Sequence, residues 1–138
     1  MPVFDPKTFK FFHPTAIRYA DLGPVQHVNN ARYLSYMEDA RIAYRKRVGL
    51  SDEASVIIVD VHITYHLPIF LEDQIKVGVR VSYCGNTSMT FQQVIVDAAG
   101  EKLYTSVETV MVAYDYEKDT SVPVPASWRE AIAAFEGD

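Results

Sequence analysis

Between Asp21 and Arg41 the chain reads Asp-Leu-Gly-Pro-Val-Gln-His-Val-Asn-Asn-Ala-Arg-Tyr-Leu-Ser-Tyr-Met-Glu-Asp-Ala-Arg. An acid, a histidine and two asparagines crowd a turn-prone segment that runs straight into an amphipathic helix. A helix start carries backbone N–H groups without intrahelical acceptors and the positive end of the helix dipole. Polar groups beside such an end can polarise a carbonyl and activate a water. The chemistry implied is therefore attack on a carbonyl compound. Asp21 and His27 are the groups able to take a proton. Asn29 or Asn30 suits the helix cap, and the backbone N–H near Asn30 suits the carbonyl oxygen and the oxyanion that develops from it. Glu38, two turns into the helix, is a further acid. Plainer roles stand beside these. Asp21 can bond backbone amides in its turn, His27 can brace the helix start, and Glu38 can pair with Arg41 at i, i+3.

The elements that must hold these residues follow from periodicity. Residues 13–19 read as a short strand with Ile17 and Tyr19 on one face. Gly23 and Pro24 break the chain in the loop that follows. Tyr33, Met37, Ala40, Tyr44 and Val48 then recur at helical spacing, with Leu34 at the stripe's edge, and Gly49 ends the helix. Beyond it the period becomes two. Ile57, Val59, Val61, Ile63, Tyr65 and Leu67 alternate with Ile58, Asp60, His62, Thr64 and His66, and Pro68 closes that strand. Residues 75–83, 90–97 and 102–114 give three more strands whose short turns make an antiparallel meander. A short helix over 127–135 follows Pro123 and Pro125. One long helix must cover one face of one curved sheet, an α+β layer arrangement.

A chain of 138 residues with 49% hydrophobic and 22% charged residues has enough apolar surface for one domain, 1–138, with its own core. A net charge of −5 offers no basic footprint, so nucleic acid is not an expected partner. The lone Cys84 allows no internal disulfide and fits a reducing compartment. It precedes a turn glycine with no neighbouring base, which argues against a nucleophile. The first residues lack a signal-peptide pattern, and no apolar run reaches membrane-spanning length; the expected location is cytoplasmic, with no membrane partner. His62 and His66, i and i+4 on a strand, stand about 13 Å apart, too far to share a metal ion. That face reads as solvent-exposed or as a subunit contact.

Arg18-Tyr19-Ala20-Asp21, then His27-Val28-Asn29-Asn30-Ala31-Arg32-Tyr33-Leu34, then Glu38-Asp39-Ala40-Arg41, resemble the hotdog-fold thioesterases of the 4-hydroxybenzoyl-CoA thioesterase family. Tyr65-His66-Leu67-Pro68 and Gly85-Asn86-Thr87-Ser88 fall where that family has Tyr-x-x-Pro and Gly-x-x-Ser segments. The Gln-His-Val-Asn-Asn run at 26–30 is also similar to long-chain acyl-CoA and plant acyl-ACP thioesterases. The resemblance implies a hotdog fold, a helix wrapped by an antiparallel sheet, with subunits paired edge to edge as a homodimer or homotetramer. It implies hydrolysis of fatty or aromatic acyl thioesters of CoA or acyl carrier protein at the subunit interface, with no metal or dissociable cofactor. One departure stands out. Where most members have Asp-x-Asp and use the second aspartate as the catalytic carboxylate, this chain has Asp21-Leu22-Gly23. Asp21 aligns with the first, and Gly23 leaves the second position without a carboxylate. Loss of that base opens a second reading, a hotdog protein that binds acyl thioesters without cleaving them. A hotdog hydratase, the third, is disfavoured by the longer spacing from Asp21 to His27.

Overall fold

The computed structural model describes residues 2–137. A short strand, β1 (Phe11–Thr15), precedes the long helix α1 (Asn30–Val48). Then come β2 (Ser55–Tyr65), β3 (Ile75–Cys84), β4 (Ser88–Asp97), β5 (Leu103–Asp115), the two-residue β6 (Thr120–Ser121) and a terminal helix α2 (Ala126–Glu136). All pairings are antiparallel, in the order β1-β3-β4-β5-β2, with β6 beside β5. Short turns connect β3, β4 and β5, as the alternation predicts. At the β4–β5 turn the Asp97 carboxylate accepts the N–H groups of Glu101 and Lys102 at 2.7 and 2.9 Å.

α1 begins where a capping side chain permits it. Asn29 accepts the Ala31 N–H at 3.0 Å, which assigns the cap to the first of the two asparagines. It ends at Gly49, whose φ of 85° is costly for a residue with a Cβ. Tyr33, Met37, Ala40 and Tyr44 of the expected stripe are buried, and Val48 is partly so. The stripe is wider than the spacing indicates, because Tyr36 and Arg41 are buried as well. Facing it is the concave side of a curled sheet, where Val77, Val79, Phe91, Ile95 and Val107 are at most 2% exposed. Tyr44 meets the rings of Phe11, Phe91 and Phe135 edge-on. Each such pair contributes about 0.5–1.5 kcal/mol beyond the area it buries. α2 closes the far end: Trp128 is fully buried and its indole N–H donates to the Ser51 carbonyl at 3.0 Å. A helix wrapped by an antiparallel sheet is thus the hotdog arrangement that the resemblance implies.

Two local expectations are corrected. The first strand starts two residues and ends four residues earlier than periodicity suggests, pairing Phe11 with Val79 and Thr15 with Ile75. Tyr19 is not on a strand face but opens a 3-10 turn (Tyr19–Asp21), stabilised by the Arg18 N–H donating to the Asp21 carboxylate. In β2 the register shifts between Ile58 and Asp60, leaving Val59 as a bulge. A bulge inserts one unpaired residue and inverts the alternation beyond it. Ile58, opposite Met111, therefore shares the helix-facing side with Val61, Ile63 and Tyr65, while Ile57 lies on the other face with Asp60 and His62.

Candidate active site

The loop before α1 is built around Asp21. Its side chain is 1% exposed, and its Oδ2 accepts the Tyr36 hydroxyl at 2.6 Å and the Arg18 N–H at 3.0 Å. Oδ1 faces the guanidinium groups of Arg18 at 3.4 Å and Arg32 at 3.9 Å. Burial alone would raise the carboxyl's pKa. The Tyr36 and Arg18 hydrogen bonds and the Arg18 charge outweigh it, so Asp21 titrates below the ordinary carboxylate range. The same burial and the same carboxylate push the Tyr36 hydroxyl up. Asp21 also uses its carbonyl, which accepts the N–H of Asn29 at 2.8 Å. An acid with both oxygens engaged orders the approach to the helix.

His27 sits on the other side of this loop. Its Nδ1 is 3.1 Å from the Val28 carbonyl oxygen. A carbonyl only accepts, so Nδ1 is assigned the proton and the neutral ring keeps its Nε2 lone pair for another partner. The backbone around it is tightly held: the Gly23 N–H bonds the His27 carbonyl and the Val28 N–H bonds the Ile69 carbonyl, both at 2.8 Å. His27 lines a cavity of about 240 Å³ together with Asn30, Tyr33, Tyr65 and His66. The Tyr65 hydroxyl donates to the Asn30 carbonyl at 3.3 Å, and its ring packs edge-on against Tyr33 at 4.9 Å. Among the described residues the Asn30 N–H has no acceptor, as expected of a donor in the first helical turn. The cavity thus brings together the first residue of a helix, whose N–H lacks an acceptor, and a histidine able to accept a proton.

The residues singled out in the sequence do not all meet. His27 and Asn30 share one cavity. Asp21 lines a different hollow with Arg18, Arg32, Ser35, Tyr36 and Asp39. Glu38 is exposed two turns along α1, at the mouth of a third cavity, between α1 and β2. It forms no ion pair with Arg41, whose guanidinium instead donates to the buried Gln93 at 2.9 Å. Gly23 is not held to glycine by space or conformation. A Cβ there would lie 3.7 Å from the His27 oxygen and 4.0 Å from the Asn29 Cβ, both ordinary contacts.

Sequence reasoning missed three residues of this region. Alternation puts Tyr65 and His66 on opposite faces of one strand, yet the strand ends at Tyr65 and His66 lines the His27 cavity, its Nε2 3.1 Å from Ser106 Oγ. Pro68 was the signal, since pairing fades before a proline. Tyr36 lies one position off the apolar stripe, and nothing local reveals that it serves Asp21. Among the described residues no three His, Cys, Asp or Glu side chains gather as metal ligands.

Comparison with known proteins places this geometry in a lineage. The Thioesterase-like superfamily matches residues 17–132. A Thermus thermophilus thioesterase solved with coenzyme A and zinc superposes with a TM-score of 0.86 at 31% identity, over 96% of this chain and 98% of that one. The long-chain acyl-CoA thioesterase FadM of Escherichia coli is 25% identical over 126 residues, 84% of this chain and 92% of its own length. YsmA of Bacillus subtilis is 25% identical over 134 residues, covering 94% and 88%. With the helix-start loop, the wrapped helix and nearly the whole length matched, the chain belongs to the thioesterase-like superfamily.

Proposed function

We propose that the protein is an acyl-CoA thioesterase, hydrolysing an acyl thioester to the free acid and CoA. The observation that carries this reading is that Asn30, whose N–H has no acceptor among the described residues, and His27, whose Nδ1 is engaged by the Val28 carbonyl, line one cavity. The thioester carbonyl oxygen accepts the Asn30 N–H. Water attacks the carbonyl carbon and gives its proton to His27 Nε2. The tetrahedral oxyanion, held by the same N–H and the helix dipole, collapses, and the C–S bond breaks to release the CoA thiolate, which takes the proton back. Asp21 acts through position, fixing Asn29 and the loop. The names of the Thermus and Escherichia coli relatives, a thioesterase with coenzyme A and a long-chain acyl-CoA thioesterase, support the substrate class.

A second copy of the chain completes the assembly in this reading. Among the described residues β2 pairs only with β5, and its free edge is long, with Ile58, Val59 and Val61 exposed by 47%, 55% and 37%. An apolar unpaired edge is a template for another strand. Pairing two β2 strands joins two sheets and brings the groove between α1 and β2 to the subunit boundary.

The test is a hydrolysis panel of acetyl-, octanoyl-, palmitoyl- and benzoyl-CoA on wild type, Asp21→Asn and His27→Ala. Wild type should turn over at least one ester, and His27→Ala should lower kcat by about 10²–10⁴-fold. No hydrolysis across the panel would sink the proposal. It would favour the non-catalytic acyl-thioester-binding reading, which Gly23 specifically suggests because no carboxylate stands where the family carries its base.

A further inference from the structure

The cavity between α1 and β2 measures about 390 Å³, and Leu50, Met89, Phe91, Met111 and Trp128 form much of its wall. A shallower hollow lined by Leu34, Ser35, Ile58 and Val61 adjoins it, since Glu38, Arg41 and Ile58 border both. Leu34 is one helical turn from Asn30. The two hollows together run along α1 from Leu34 to Trp128.

Apolar side chains make most of that path, and the buried charge on it is Arg41. Arg41 is 8% exposed, and Nη1 donates to Gln93 Oε1 at 2.9 Å. Gln93, fully buried, is itself oriented by donating its amide N–H to the Met37 carbonyl at 2.9 Å. A guanidinium has five N–H donors and stays charged in proteins. Among the described residues, Nε and Nη2 of Arg41 have no hydrogen-bond partner, and neither atom is sealed from the surface. Among the described residues the arginine–carboxylate pairs are Arg18–Asp21 and Arg32–Asp21, and neither involves Arg41. Glu38 is exposed one turn away, and Arg45 is turned to the Trp128 ring at 5.1 Å. With one acid and two arginines, the cavity carries a net charge of +1. The charge of Glu38 acts on this guanidinium without an ion pair forming, so a ligand carboxylate that bonds Nε and Nη2 directly is favoured there.

We propose that this cavity takes an acyl group whose far end bears a carboxylate, bound by Arg41, so that the substrate class is the CoA monothioester of a dicarboxylic acid. The inference rests on the thioesterase reading for the position of the thioester at Asn30. Eleven residues of α1 separate Asn30 from Arg41, a rise of about 17 Å. Helical side chains point back toward the helix start, which shortens that span for the guanidinium. A medium-length chain bridges it. Gln93 is a positioning residue: it fixes one edge of the guanidinium and leaves the other for two parallel hydrogen bonds to the carboxylate.

The experiment measures binding of two non-hydrolysable thioether analogues, of suberoyl-CoA and octanoyl-CoA, to the full-length protein, alongside turnover of the two esters. The analogues match in length and differ in the terminal group. Wild type should bind the suberoyl analogue about tenfold tighter or better. Arg41→Met should reverse the preference and Arg41→Lys should retain part of it. Equal or tighter binding of the octanoyl analogue by wild type overturns the assignment and leaves Arg41 as a group paired within the protein or by a second copy. This comparison needs no variant, so it stands even if Arg41→Met fails to fold. Preference without turnover keeps the carboxylate subsite and removes the hydrolase reading. Turnover without preference does the reverse, and binding of neither analogue removes both.

Discussion

Replacing Gly23 by aspartate puts a carboxylate at the place where the sequence resemblance implies the family's base, and the local geometry says what should follow. The backbone at Gly23 is not in the left-handed region, and an added Cβ meets only the His27 oxygen at 3.7 Å and the Asn29 Cβ at 4.0 Å. No strain is introduced, and removing a glycine's freedom from the unfolded chain adds about 0.4–1 kcal/mol of stability. A carboxylate beside the start of α1 gains a further 0.3–1 kcal/mol or so from the helix dipole. Gly23→Asp should therefore be at least as stable as wild type. A positioned general base contributes about 10²–10⁴-fold, equivalent to roughly 3–5 kcal/mol of barrier. Where His27 already supplies part of that, the gain in kcat should fall near the lower end, about 10²-fold. The assay is release of the CoA thiol, followed colorimetrically across pH. The variant should gain an acidic limb, active from about pH 4 upward where an ordinary aspartate ionises, and should tolerate His27→Ala far better than wild type does. A folded Gly23→Asp protein with unchanged kcat and unchanged sensitivity to His27→Ala would refute the argument that a carboxylate at this place sees the thioester.

Two more predictions follow from the same geometry. The folded pKa of Asp21 is depressed, so its stabilisation is complete above its unfolded value near 4 and is lost as pH falls through the lower folded value. Tyr36→Phe, which deletes its hydroxyl bond, should lower stability at pH 7 by about 1.5–3 kcal/mol and by less at pH 2, as read by urea unfolding at both pH values; an equal loss at both would show that the bond does not set the titration. Val59→Lys, at the exposed bulge of the free β2 edge, should weaken self-association about tenfold or more in analytical ultracentrifugation while leaving the thermal midpoint of the monomer within a few degrees. A wild type that sediments as a monomer at all concentrations would remove the edge-pairing proposal.

Much of this architecture is legible in the sequence because it is local. The helix over Asn30–Val48 announces itself by its cap, its stripe and its terminal glycine, and the meander by its period of two and its turns. What periodicity misrepresents is a single inserted residue: the bulge at Val59 makes Ile57 and Ile58 exchange faces, and a count along β2 alone cannot reveal it. The offset of β1 has a different cause. Its pairing is chosen by β3, more than sixty residues away, while Tyr19–Asp21 is taken by a turn that a carboxylate holds. At the site, one stretch of sequence lists Asp21 and His27 as neighbours, yet they face separate cavities because the chain folds between them at Gly23. The link from Arg41 to Gln93 spans 52 positions and leaves no periodic trace.

Tyr65 is at once the last residue of β2 and the donor to the Asn30 carbonyl. One side chain therefore ties the sheet edge to the donor end of the helix. Whatever docks along that edge and steadies its end biases the first turn of α1 toward one arrangement, and a ligand seated at that turn strengthens the docking in equal measure. If chains pair along that edge as proposed, occupancy of the pocket and association of chains become two readings of a single equilibrium, and affinity for a ligand at Asn30 should rise with protein concentration.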